Sequence, residues 1–407
     1  MNHLSTMQCD QVLKSLRAGV VPADHIDLIQ VGRGGEQATL AKDILHIFKG
    51  GSSVRFVTGD YGSGKTFIGE LTRQKGIKQG LVVATAALSP DKRLQAKTGE
   101  TRNLYSALVR SFSTKARPNG TALVNIVERF ILTTLREAHV NNVDPRAHIA
   151  HRLKDFEELA GGFDFIKVVQ CYWLGFENQD DELKSTALRW LRGEFINLSD
   201  ARAALGVRSI IDYRNFFSGL KMLCQFVRMA GYPGLLICLD EMVALYELSH
   251  KQTRINNFNE ILNIVNDCLQ GQVQGMGFVF LGTPEFVYDE KKGLYSMPAL
   301  KSRLALNRLA TKGLTDVSGP VIELQPLQEV EMDELLHKLR HVQAYGVVKD
   351  YLIDDMELWQ FMLQCRAIHG QQYFLNPRLA IKTLLDLLAV IQQNPNVKVD
   401  ELIAEIS

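Results

Sequence analysis

Residues 54–66 read Val-Arg-Phe-Val-Thr-Gly-Asp-Tyr-Gly-Ser-Gly-Lys-Thr. The first five residues are a short β-branched and aromatic run, which predicts a buried strand. The remainder, Gly59–Thr66, matches the pattern G-x-x-x-x-G-K-[ST]. Glycines allow the main chain to curl until successive N–H groups point at phosphate oxygens, and a helix that begins at the loop adds its positive end. The sequence therefore predicts a strand, a phosphate-binding loop and a helix in succession.

Each residue type in the loop suits a nucleotide phosphate. Lys65 is expected to reach the β- and γ-phosphates, and the Thr66 hydroxyl is expected to bind Mg²⁺. A chance match to the pattern is rare, and a strand before it with a helix after it makes chance rarer still. The predicted nucleotide-binding residues of the loop are Gly59, Asp60, Tyr61, Gly62, Ser63, Gly64, Lys65 and Thr66.

A second apolar run, Leu235–Leu239, ends in the acidic pair Asp240 and Glu241. A buried strand that ends this way places one carboxylate beside the metal and the next beside the attacking water. Asp240 is therefore the predicted metal ligand, and Glu241 is the predicted group that orients and activates water. The alternative is that the strand simply ends in two acids, which many strands do.

A third apolar run, 277–281, is followed by Gly282 and Thr283. A polar side chain there is expected to contact the γ-phosphate or the water. The alternative is that Thr283 only starts a turn. Short and mostly apolar runs at 81–85, 235–239, 277–281 and, more weakly, 321–324 suit central parallel strands. The predicted fold class is α/β, with a parallel sheet of the P-loop NTPase type.

The pattern changes along the chain in a way that predicts four regions. Residues 1–50 indicate a helical segment, and residues 51–98 with 231–326 carry the predicted sheet. Between them, residues 99–230 show helix-period apolar positions and no convincing strand, which predicts a large helical insertion. Residues 327–407 predict a small C-terminal helical domain.

The composition limits the classes of function. The chain of 407 residues carries 46 basic and 45 acidic side chains, so its net charge of +1 gives no global attraction to nucleic acid or to an anionic membrane. The six cysteines form no C-x-x-C pair, and most stand in apolar surroundings, which predicts buried thiols and a reducing compartment. No stretch reaches the roughly 20 apolar residues of a membrane span. We therefore expect a cytoplasmic protein.

The order of these elements resembles the AAA+ superfamily, in the branch that includes origin-recognition, Cdc6-like and STAND ATPases. The resemblance implies an adenine-side role for Gly32 and Arg33, and the sensor-1 position for Thr283. It implies that Arg378, in Asn376-Pro377-Arg378, is the sensor-2 arginine of a lid formed by 327–407. Arg303 falls where these families carry an arginine finger that acts on the neighbouring subunit, with Arg308 as the second candidate.

Five segments carry a narrower similarity: 16–22, 59–67, 233–241, 282–286 and 297–304. They are similar to the ATP-binding protein of BREX phage-defence systems. The similarity covers about residues 10–380 and is patchy through 99–230. It implies an oligomeric ATPase of a prokaryotic anti-phage system that uses ATP and Mg²⁺, with DNA-processing partners such as a helicase. The segment 59–67 also adds Phe67 to the predicted nucleotide-binding residues.

Two other functions are compatible with the residues. One is a nucleotide-gated assembly switch with little turnover, and the other is a small-molecule kinase, which the Asp240-Glu241 pair and the late Arg378 disfavour. DNA is a candidate ligand, although the basic residues Arg102, Arg110, Lys115 and Arg117 also suit a solvated helix face. The aromatic residues Tyr172, Trp173 and Phe176 are expected to belong to the core rather than to stack on bases.

Overall fold

The structure is a computed structural model that describes residues 4–307, 318–370 and 372–406. The chain divides into two compact units. We call one the sheet unit, formed by Ala38–Val57 and Thr72–Ile322, and the other the helical unit, formed by Met1–Gln37, Thr58–Leu71 and Glu323–Ser407.

The sheet has five parallel strands in the order β2-β3-β4-β1-β5. Its central strands are all-apolar because both faces are covered: the whole of β4 is buried, and so is β3 up to its last residue. The strands are β1 Ser52–Thr58, β2 Val82–Ala87, β3 Leu235–Asp240, β4 Met276–Gly282 and β5 Val321–Glu323. The predicted α/β class with a parallel sheet is confirmed.

The register aligns the ends of neighbouring strands. Val82 of β2 pairs with Leu235 of β3, and Leu235 pairs with Met276 of β4. Ala87 at the end of β2 is opposite Asp240 at the end of β3. Because the strands are parallel, their carboxyl ends share one edge of the sheet and their amino ends share the other.

Helices account for most of the remaining described residues. The long ones begin or end at recognisable signals: Pro377 is the first residue of its helix, and Gln328 with Glu331 forms a capping box. In chain order the helices are α1 Thr6–Arg17, α2 Gly34–Phe48, α3 Lys65–Gln79, α4 Glu100–Arg110, α5 Leu123–Asn141, α6 Pro145–Arg152, α7 Gly162–Glu177, α8 Asp181–Leu191, α9 Leu198–Leu205, α10 Phe216–Met229, α11 Val243–Tyr246, α12 Lys251–Leu269, α13 Pro284–Tyr288, α14 Pro298–Arg303, α15 Glu329–Gln343, α16 Asp355–His369, α17 Gln372–Leu375, α18 Pro377–Gln393 and α19 Val399–Ala404.

Residues 99–230 contribute α4 to α10 and share a continuous apolar core with the strands. Beyond the helices, the described part of this region forms only isolated β-bridges, one of which pairs Ser113 antiparallel to Val83 of β2. Tyr172 and Trp173 are 1% and 6% exposed, so their predicted place in the core is confirmed.

The helical unit has a separate core. Residues of α1, such as Cys9 and Val12, pack with Leu336 of α15 and Leu384 of α18. Most cysteines are buried as predicted, with Cys171 the partly exposed one. Among the residues that the structure describes, no helix is both long enough and apolar enough to cross a membrane.

Candidate nucleotide-binding site

The loop between β1 and α3 belongs to the helical unit and has the backbone that its glycines predict. Gly62 and Gly64 adopt φ values of +85° and +95°, a region that side chains disfavour. A Cβ on Gly59 would lie 2.4 Å from Ser63 Oγ, so only glycine fits at the start of the loop. The Ile68 N–H donates to Gly64 O at 2.9 Å, which begins α3 directly at the end of the loop.

The side chain of Lys65 folds over this loop. Its ammonium group donates to Gly59 O at 2.7 Å and to Asp60 O at 2.8 Å, so the positive charge is held at the mouth of the curled backbone. Thr66 follows in the first turn of α3 and is exposed. Ser63 Oγ and Thr58 Oγ1 are buried, and neither has a hydrogen-bond partner among the described residues. The loop thus combines a fixed cation, a helix N-terminus and two unsatisfied hydroxyls.

Arg33 contacts the loop from the N-terminal segment. Its guanidinium, with a side chain only 8% exposed, donates from Nη2 to Ser63 O at 3.1 Å and lies 3.5 Å from Glu36. Burial lowers the pKa of Arg33, and the carboxylates of Glu36 and Glu331 oppose that shift. Because a guanidinium titrates so far above neutral pH, Arg33 stays a cation beside the loop.

The backbone next to Arg33 is tightly constrained. Gly32 has φ +55°, and a Cβ there would lie 2.1 Å from a carboxylate oxygen of Glu331 in α15. Arg33 itself has φ +60°, an uncommon value for a residue with a side chain. The structure therefore places Gly32 and Arg33 between the phosphate-binding loop and α15.

Arg378, in the first turn of α18, contacts the tip of the loop. Its Nη1 donates to the Tyr61 hydroxyl at 3.2 Å, and its guanidinium carbon lies 5.5 Å from the centre of the Tyr61 ring. Tyr61 is 74% exposed, which makes this a surface contact. Asn376 faces the backbone of the loop, where a Cβ on Gly62 would approach its Oδ1 to 2.1 Å. This Oδ1 is buried and has no hydrogen-bond partner among the described residues.

The acidic pair lies in the sheet unit, where β3 ends. The Glu241 N–H donates to Asp240 Oδ1 at 2.8 Å, which fixes the orientation of the Asp240 carboxylate. Glu241 has φ +55° and an exposed side chain. The chain continues into Met242, whose N–H donates to Leu281 O at the end of β4 at 3.1 Å. The backbone thus turns sharply at Glu241 and aims its carboxylate away from the core.

Thr283 follows β4, the next strand in the sheet. It precedes α13, but its side chain makes no capping hydrogen bond to that helix. Its Oγ1 is buried without a partner among the described residues. When the only role of a threonine is to start a turn, its hydroxyl normally forms a hydrogen bond within that turn. The unsatisfied oxygen therefore favours the functional interpretation of Thr283 over the turn.

Arg303 is the last residue of α14 and is half-buried. Its Nη1 donates to Ala299 O of the same helix at 2.9 Å. The second candidate, Arg308, lies outside the described residues. Arg303 as a finger that acts on a neighbouring subunit stays a prediction, as do the predicted site residues in general.

A family model described as BREX system ATP-binding protein BrxC/D matches residues 4–407. The chain belongs to this family. No curated protein matches the chain. Membership of the BREX ATP-binding family agrees with the similarity found in the sequence, and it supports ATP as the ligand of the loop.

Two residues of this BREX ATP-binding protein were not predicted as part of the site. Glu331 faces Gly32, and Asn376 faces Gly62. Asn376 had one local signal, because it precedes Pro377 at the start of a helix. For Glu331 the sequence carries no local signal other than its capping-box position, three residues after Gln328.

Proposed function

We propose that this BREX ATP-binding protein hydrolyses ATP to ADP and phosphate. The observation that carries the proposal is the loop of residues 59–66, in which two left-handed glycines curl the main chain around the ammonium group of Lys65. A loop with this backbone and this lysine suits the β- and γ-phosphates of a nucleotide.

The acidic pair supports hydrolysis rather than binding alone. Glu241 is exposed and follows β3 at the carboxyl edge of the sheet. We infer that Glu241 accepts a proton from water as the water attacks the γ-phosphorus, and that Thr283 Oγ1 helps to orient that water. A base in this role typically accelerates hydrolysis about 10²–10⁴-fold.

The chemistry of two residues suits a magnesium ion. Thr66 is an exposed residue that carries a hydroxyl, and Asp240 carries a carboxylate that accepts a hydrogen bond from the Glu241 N–H at 2.8 Å. Hydroxyl and carboxylate oxygens are ligands that Mg²⁺ accepts. Thr66 and Asp240 would hold the ion, which when bound supplies charge neutralisation to the phosphates.

We propose further that the architecture is AAA+-like, with residues 99–230 as an insertion and 327–407 as a lid that carries Arg378. In this arrangement Arg378 senses the γ-phosphate within its own subunit and Arg303 completes the site of a neighbour. The protein would then work as an oligomeric motor, loader or remodeller in phage defence, with DNA-processing partners such as a helicase. The family assignment supports the defence role.

One contact favours the alternative, a nucleotide-gated assembly switch that turns over rarely. Arg378 is bonded to Tyr61 of the loop, so the arginine that is expected to read the γ-phosphate already has a partner. A protein held in such a state could wait for assembly before it hydrolyses ATP.

Phosphate release from the full chain tests the proposal and separates it from the alternative. The assay measures turnover with ATP and Mg²⁺, with and without single-stranded or duplex DNA, and native mass spectrometry with ATP or ADP follows assembly. Sustained Mg²⁺-dependent turnover supports the ATPase. Nucleotide-dependent assembly without turnover under any of these conditions supports the switch, and absence of nucleotide binding overturns both.

A further inference from the structure

The amino edge of the sheet, opposite the carboxyl edge described above, carries basic residues and no acidic ones. Five segments lead into or flank the first residues of β1 to β4: 48–52, 75–81, 114–120, 227–234 and 270–275. They contain no aspartate or glutamate. Their basic residues are Lys49, Lys75, Lys78, Lys115, Arg117 and Arg228. In a chain whose total net charge is +1, this is a strong local concentration of positive charge.

Hydrogen bonds join these segments into one surface. The Gly275 N–H lies 3.0 Å from both Gly50 O and Gly51 O, which connects the segments before β4 and β1. The Val82 N–H donates to Gly234 O at 3.0 Å, which connects β2 to the segment before β3. The antiparallel bridge between Val83 and Ser113 then places the turn of residues 114–120 beside the start of β2.

A cavity of about 650 Å³, which we call the amino-edge groove, lies within this surface. Its lining combines cations with aromatic rings: Lys115 and Arg129 are exposed, and Phe48 is 41% exposed. Arg129 is held in place, since its guanidinium carbon lies 4.6 Å from the Tyr232 ring centre and its Nη2 donates to Gly231 O at 3.2 Å. A fixed guanidinium beside an exposed ring is a built feature rather than a solvated charge.

Three acidic residues near these segments have partners of their own. Asp267, at the end of α12, lies 2.9 Å from Lys221, and Asp43, in α2, bonds to Arg55. Glu128, next to Arg129 in sequence, forms a hydrogen bond with the Tyr172 hydroxyl. The five segments themselves carry no acid, which leaves this surface with an excess of positive charge.

We propose that the amino-edge groove binds single-stranded nucleic acid. Phosphates would lie on Lys115 and Arg129 of its lining and on the exposed Arg117 of the turn of residues 114–120, with a base stacked on Phe48. Cations spread over several segments suit a ligand with regularly repeated charges better than a single small anion. An exposed aromatic ring among them favours a nucleic acid over an acidic peptide, because every base offers a flat face for stacking. The residues of the groove belong to the sheet unit and include none of the loop of residues 59–66, so this proposal does not depend on ATP hydrolysis.

Fluorescence anisotropy of the full chain with a labelled oligothymidylate, without nucleotide, tests the proposal. Lys115→Glu and Arg117→Glu change exposed residues of a turn and are expected to weaken binding about tenfold or more together. Each lost phosphate contact should also reduce the slope of log affinity against log salt by about 0.7. Phe48→Ala is expected to weaken binding by about fivefold or more through the lost base stack.

Matched controls separate the site from general charge and packing effects. Leu45→Ala removes a side chain of α2 that is 42% exposed and does not line the groove. Lys251→Glu reverses an exposed charge at the start of α12. Both should bind the oligonucleotide like the unaltered protein, and Lys65→Ala should as well.

The proposal is overturned if the oligonucleotide does not bind, or if Lys251→Glu weakens binding as much as Lys115→Glu. It is also overturned if a polyglutamate peptide competes equally and Phe48→Ala has no effect, which would indicate an acidic protein partner.

Discussion

The ammonium group of Lys65 is bound by two carbonyl oxygens of its own loop, 2.7 and 2.8 Å away. A phosphate offers this group a full negative charge in their place, so we expect Lys65 to supply much of the affinity for ATP. Lys65→Ala should abolish nucleotide binding or weaken it severely, as measured by calorimetric titration. Lys42→Ala, at an exposed position of α2, should bind ATP normally. If folded Lys65→Ala protein kept its affinity and turnover, the assignment of the loop would be wrong.

Glu241 is expected to act on water and not on the nucleotide itself. Glu241→Gln keeps the size of the side chain but removes the basic oxygen, so ATP should still bind while turnover falls about 10²–10⁴-fold. Single-turnover hydrolysis measures this directly, and Glu247→Gln serves as the control because Glu247 is exposed just beyond α11. A variant that lost ATP binding yet kept its rate at saturation would show that Glu241 has another role.

At the scale of elements, the contact between Tyr61 and Arg378 connects the loop to α18. The ring and hydroxyl of Tyr61 hold Arg378 at 5.5 and 3.2 Å, and we expect phosphate to compete for the same guanidinium. Tyr61→Ala should therefore raise the affinity for ATP about two- to fivefold, the effect of losing one exposed cation–π contact. Tyr61→Phe should lie between Tyr61→Ala and the unaltered protein.

A double-mutant cycle checks that the effect passes through Arg378. In an Arg378→Ala background, Tyr61→Ala should no longer change the affinity for ATP, because the competing contact is already absent. Equal effects of Tyr61→Ala in both backgrounds would mean that the tyrosine acts on the nucleotide or the loop without Arg378.

The elements around the loop could be predicted because their signals are local. The predicted strand 54–58 is found as Ser52–Thr58, and the run at 235–239 is found as Leu235–Asp240. The helix predicted after the loop is found as Lys65–Gln79, and Gly80 with φ +96° stops it. The observed ends of the strands differ from the predicted ones by a few residues, because backbone pairing with neighbouring strands continues beyond the apolar run.

Contacts between distant segments could not be predicted in the same way. The strand order β2-β3-β4-β1-β5 and the approach of Glu331 to Gly32 depend on tertiary packing, which leaves no periodic pattern in either segment. The same holds for Asn376, whose buried Oδ1 faces Gly62. The acidic pair and the loop could be recognised in the sequence, because their chemistry requires particular residue types at fixed spacing. The predicted domain boundaries and the role of Arg303 remain predictions.

At the scale of the whole molecule, the role proposed for Arg303 predicts that activity requires assembly. A guanidinium is planar and permanently charged, and fingers of this kind contribute about 10³–10⁵ in rate. Arg303→Ala should therefore bind ATP but lose most turnover. Mixing Arg303→Ala with Lys65→Ala should restore part of the phosphate release, because a shared site then has one intact loop and one intact arginine.

The mixing experiment requires proof that mixed oligomers form, which native mass spectrometry can supply. If mixed oligomers form and no activity returns, Arg303 acts within its own subunit or only packs against Ala299, with which it shares a hydrogen bond of 2.9 Å. Arg308 is then the next residue to be tested in the same way.

The left-handed backbone at Glu241 implies a trade-off between stability and activity. A side chain at φ +55° costs about 1–2 kcal/mol relative to a relaxed conformation, and glycine does not bear that cost. Glu241→Gly should therefore leave the melting temperature unchanged or raise it while abolishing hydrolysis. Glu247→Gly, at φ −73°, should lower the melting temperature, because glycine there only adds freedom to the unfolded chain. Calorimetry without nucleotide compares the two. If Glu241→Gly is the less stable variant, the turn is not strained, and the position of this carboxylate costs the fold nothing.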